Sequence, residues 1–60
     1  MYTLYWKNGK REIVIGHNIA DAMLRNKYSF SSIKLLDFYM NGNNNKYYWD
    51  NTTSLWVELD

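Results

Sequence analysis

At sixty residues with no cysteine, the chain has room for one small domain, residues 1–60, without a disulfide or thiolate metal site to hold it. A net charge of +1 is too small to signal a nucleic acid or an anionic membrane, and no run of about 18 apolar residues exists to cross a bilayer. With 47% hydrophobic and 22% charged residues the composition is that of a folded chain, its core mass supplied by three Trp, six Tyr and two Phe.

Two β-rich runs flank Asn8-Gly9 in "YTLYWKNGKREIVIG". Asn-Gly suits the two positive φ angles of a type I′ turn, so the sequence predicts a hairpin with a two-residue loop. That register sets Trp6 opposite Arg11, a cation–π pair, and Leu4 opposite Ile13. It predicts a core face of Tyr2, Leu4, Trp6, Arg11, Ile13 and Ile15.

Gly16 closes the second strand, and the period then changes. Asn18 is a helix N-cap, and Asp21 falls in the first turn, where a carboxylate meets unpaired backbone donors. Ile19, Ala22 and Met23 share one face, and Arg25 and Lys27 suit the C-terminal end. The pattern predicts a helix over 19–28 that must dock on a sheet, because ten residues do not hold a helix alone.

Residues 29–32, "SFSS", read as a loop. The run "IKLLDFYM", residues 33–40, is apolar at nearly every position and reads as a central strand. "KYYWD" and "SLWVEL" follow as two more strands. Asn is a poor strand former, so residues 41–45 are expected as one five-residue turn that pairs Met40 with Lys46 and Tyr39 with Tyr47; a four-residue turn, the alternative, would pair Tyr39 with Tyr48. An even loop around Thr52 and Thr53 pairs Tyr47 with Glu58, Tyr48 with Val57 and Trp49 with Trp56. The order β-β-α-β-β-β predicts an α+β fold: a single antiparallel sheet with one short helix packed on one face.

Alternation sorts the C-terminal strands into two apolar sides. One holds Leu36, Phe38, Met40, Tyr48, Leu55, Val57 and Leu59; the other holds Ile33, Leu35, Asp37, Tyr39, Tyr47, Trp49, Trp56 and Glu58. One short helix covers one side only; the other is either partly covered by curling of the sheet and its terminal strands or left as an apolar patch larger than a monomer normally exposes. The second side is taken as the uncovered one, with Tyr39, Tyr47, Trp49 and Trp56 as partner-binding anchors for a protein partner or a second copy.

Catalytic chemistry finds no footing. His17 is the single histidine and precedes the N-cap as a loop residue. Asp37 interrupts a sticky strand, and Asp50, Glu58 and Asp60 read as surface or turn charges. No nucleophile motif, paired carboxylate, metal cluster or cofactor signature is present, so an enzyme is not expected and neither is a cofactor. Asn51-Thr52-Thr53 fits a glycosylation sequon but reads as a polar turn.

The sequence thus points to a small non-enzymatic interaction module. The alternative is nucleic-acid binding through Lys7, Lys10 and Arg11 at the first hairpin, with nearby rings stacking bases. No basic-then-apolar leader begins the chain, so a cytoplasmic location is expected. A chain this short starting at Met reads as a complete small gene product, such as a phage accessory protein.

Overall fold

The computed structural model describes residues 1–59; Asp60 lies outside them. Five strands form one antiparallel sheet: β1 (Tyr2–Trp6), β2 (Arg11–Val14), β3 (Leu36–Met40), β4 (Lys46–Asp50) and β5 (Leu55–Leu59). Their spatial order is β2-β1-β3-β4-β5, so β3 is the middle strand, as its apolar run predicts. Helix α1 (Ile19–Arg25) and a 3₁₀ helix (Phe30–Leu35) link β2 to β3. The α+β class and the order of elements are those read from the sequence.

The first hairpin forms with a different loop. Gly9 has φ of +89°, but Asn8 is not in the left-handed region, so the type I′ turn is ruled out. The Gly9 N–H donates to the Trp6 carbonyl at 2.9 Å and the Trp6 N–H donates to the Lys10 carbonyl at 2.8 Å, closing a three-residue loop. Asn8 Oδ1 accepts from the Lys10 N–H at 2.9 Å, holding the turn from inside. The register becomes Leu4 with Glu12, Thr3 with Ile13 and Tyr2 with Val14. A slip of one residue moves every β2 side chain to the opposite face. Val14 is therefore buried, Ile13 is 61% exposed, and Arg11 stands opposite Tyr5 rather than Trp6.

Helix α1 starts as predicted. Asn18 Oδ1 accepts the Asp21 N–H at 2.8 Å, and the Asp21 carboxylate accepts from the His17 N–H at 2.9 Å. The helix stops three residues short of the predicted end because Lys27 turns left-handed, at φ 65°. The Lys27 N–H then donates to the Leu24 carbonyl at 3.0 Å, and the Tyr28 N–H to the Met23 carbonyl at 2.9 Å. This paired closure is a Schellman motif, with lysine where glycine is the usual occupant. It throws Tyr28 back onto Trp6, ring centroids 4.9 Å apart.

Strand three is shorter than its apolar run. Residues 30–35 form the 3₁₀ helix, so Ile33 and Leu35 lie outside the strand. Periodicity cannot separate a buried strand from a buried helical turn in so short an apolar run. Where the strand does begin, a bulge changes its register against β1: Tyr5 pairs with Phe38, but Trp6 pairs with Leu36. Asp37 is the extra residue, and Leu36 is brought to the same face as Trp6 and Tyr39.

Both C-terminal hairpins keep the expected registers. Tyr39 pairs with Tyr47 and Met40 with Lys46 across the 41–45 turn. Trp49 pairs with Trp56, Tyr48 with Val57 and Tyr47 with Glu58 across the last turn. Asn41 organises the longer turn: its Oδ1 accepts from the N–H groups of Asn43 at 2.9 Å and Asn45 at 3.1 Å.

The core is Leu4, Trp6, Val14, Ile19, Ala22, Met23, Ile33, Leu36 and Tyr39. Helix α1 supplies Ile19, Ala22 and Met23 to it, and the 3₁₀ helix supplies Ile33. Two helical pieces thus cover one sheet face, where the sequence promised one.

Candidate interaction face

The covered face is the one that carries the rings. Tyr39 is only 7% exposed, and Tyr47, Trp49 and Trp56 pack half-buried against the core. Tyr39 stacks on Tyr47 at 5.2 Å, meets the edge of Trp56 at 4.8 Å and touches Tyr2 at 5.7 Å. Trp49 meets Trp56 at 5.1 Å and is capped by Phe30 of the 3₁₀ helix at 5.5 Å. Burial, and then the neighbouring Tyr47 and Tyr2, push the Tyr39 hydroxyl up to about 12. The structure therefore places Tyr39, Tyr47, Trp49 and Trp56 beneath or beside the helical layer rather than on the open face. The sequence could not say that residues 30–35 would coil over them.

The opposite face carries no helix. Across it run two rows set by the strand registers. Ile13, Thr3, Met40, Lys46 and Leu59 form one, and Arg11, Tyr5 and Phe38 form the next, continued on β4 and β5 by Tyr48 and Val57. Tyr5 stacks on Phe38 at 4.5 Å with 16° between planes, and the Lys46 ammonium lies 5.7 Å above the Phe38 ring. Leu55 is 62% exposed at the rim. Strand alternation does separate Phe38, Met40, Tyr48 and Val57 from Tyr39, but the covered side is the other one and the bulge moves Leu36 from the Phe38 side to the Tyr39 side. Tyr5 joins this face because β1 neighbours β3, a tertiary pairing with no local signal in the sequence.

Charges of both signs occur on this face, and Lys46 shares β4 with Asp50. Arg11 sits on the β2 edge strand, and Asp50 sits at the end of β4, paired with Leu55 of the other edge strand. Of the basic residues considered for nucleic acid, Lys7 and Lys10 lie at the hairpin tip beside Trp6, whereas Arg11 points to the open face opposite Tyr5.

Elsewhere several polar groups have structural partners. Asp21 is held below the usual carboxylate range by the His17 N–H and by the Arg25 guanidinium, whose Nε lies 2.8 Å away. The Tyr28 hydroxyl donates to the Glu12 carboxylate, which raises its pKa. Among the described residues no three His, Asp or Glu side chains gather where a metal ion could sit. No helix among them is long and apolar enough to cross a membrane. Compared with known proteins, the chain matches no family model, no curated protein and no solved structure.

Proposed function

We propose that the protein is a non-enzymatic interaction module that associates through its open sheet face, and that the partner is a second copy of the chain. The observation that carries this reading is the row of apolar side chains on that face, with Tyr5 and Phe38 stacked at its centre and no element covering them. Two such faces pack as sheets do in a sandwich, about 10 Å apart. A two-fold axis running along the strands turns the β2 edge of one copy over the β5 edge of the other. It lays apolar row against apolar row, so that each copy covers side chains that its own helices leave open.

Nucleic acid binding through Lys7, Lys10 and Arg11 is not favoured, because the net charge of the chain is only +1.

Sedimentation velocity at micromolar concentration tests the proposal. The native chain should sediment as a dimer. Tyr48→Lys, outside the core, should give a folded monomer. Leu24→Lys changes an exposed apolar residue on the helix side and should leave the dimer intact. A native chain that stays monomeric, or variants that dissociate equally, would overturn the reading.

A further inference from the structure

Between the tip of the first hairpin and the 3₁₀ helix lies a cavity of about 500 Å³, within the range of small-ligand sites. Trp6, Tyr28 and Leu35 give it an apolar wall, and Lys7, Asn8, Lys10 and Ser32 a polar one. It belongs to the helix side of the sheet and owes nothing to the open face.

The walls are held from several directions. The Lys7 N–H donates to the Leu35 carbonyl at 2.9 Å, tying the hairpin tip to the end of the 3₁₀ helix. Tyr28 is fixed at one end by the helix closure and at the other by its hydrogen bond to Glu12. That bond also occupies the Glu12 carboxylate. Neither Lys7 nor Lys10 forms an ion pair among the described residues.

Trp6 is 8% exposed: the cavity meets part of its ring, while its indole Nε1 is closed off from solvent and has no acceptor among the described residues.

We infer that this cavity binds a small organic anion, a flat apolar body bearing one carboxylate or phosphoryl group. The body lies against Trp6, Tyr28 and Leu35. The anionic group takes the ammonium groups of Lys7 and Lys10. The two cations set the charge, and the rings set the shape.

Titration with 2-naphthoate, followed by the indole N–H resonance of Trp6 in two-dimensional NMR, tests this. The resonance is assigned through its proximity to Tyr28. A saturable shift is expected, together with shifts at Leu35. The Lys7→Gln/Lys10→Gln double variant, altered only at exposed positions, should fold normally and bind at least about tenfold more weakly, the weight of one charge-assisted hydrogen bond. 2-Naphthylmethanol, the neutral isostere, should fail to saturate over the same range. The inference fails if the Trp6 resonance does not respond to 2-naphthoate. It also fails if the double variant or the alcohol reproduces the response, which would leave only an apolar crevice.

Discussion

Gly16 lies so close to helix α1 that a Cβ placed on it would stand 2.4 Å from the backbone nitrogen of Ala22 and 2.6 Å from its Cα. The contact is with backbone, which cannot swing aside. Gly16 is not in a left-handed conformation, so space alone demands glycine here. This approach brings Ala22, fully buried, down onto the sheet.

Gly16→Ala is therefore expected to cost about 1–3 kcal/mol through overpacking. In a domain of this size, whose core supplies only ~3–5 kcal/mol, that is a large fraction of the total. Urea unfolding should show a lower midpoint with an unchanged slope. Gly42→Ala serves as the control: nothing lies nearer than the Met1 carbonyl oxygen at 4.0 Å, and its stability should hardly move.

Lys27 gives the opposite prediction. It ends α1 at φ 65°, where a side chain is strained and glycine is not. Lys27→Gly should raise stability by up to about 1 kcal/mol, the strain relieved less the added freedom of the unfolded chain. The same thermal or urea measurement reads it. A loss of stability would mean that the lysine stem packs usefully at the helix end.

Only one asparagine of the 41–45 turn is expected to matter greatly through its side chain. Asn41 Oδ1 accepts two backbone N–H groups, and Asn41→Ala leaves both to solvent. The expected cost is about 1 kcal/mol. Asn43→Ala removes no hydrogen bond found among the described residues and should be near neutral. Equal effects at both positions would show that the turn is held by its backbone alone.

High pH should unfold the protein in a particular window. The Tyr39 hydroxyl titrates near 12 in the fold against 10.0 as its ordinary value, and Tyr28 is raised in the same direction by its bond to Glu12. Below pH 10 the advantage of the folded state is complete. Above it the unfolded chain releases these protons while the folded chain keeps them, so stability falls as pH rises toward 12. Tyr39 alone accounts for up to about 1.4 kcal/mol per pH unit across that window. Circular dichroism and tyrosinate absorbance should change together there, and Tyr39→Phe should make the loss shallower. Stability that stays flat over the window would contradict the burial of Tyr39.

The sequence by itself determined the features that rest on neighbours in the chain. Asn18 and Asp21 start α1 because a short oxygen-bearing side chain meets unpaired N–H groups three residues on. The turn at 41–45 and the loop before β5 fix their registers because asparagine and threonine leave the pairing to the aromatic runs on either side. Tertiary structure decided the rest. Asn8-Gly9 is compatible with two loop lengths, and the three-residue loop brings Val14 and Glu12, rather than Ile13, to the face of Leu4 and Trp6. The bulge at Asp37 brings Leu36 to that same face, and no local pattern announces it. The covered side was the least legible feature, because Tyr39 and Phe38 stand on opposite faces of one strand and both are apolar. The choice fell to residues 30–35, whose Phe30 caps Trp49 and whose Ile33 joins the core that holds Tyr39, while Phe38 and Tyr5 stay on the open face.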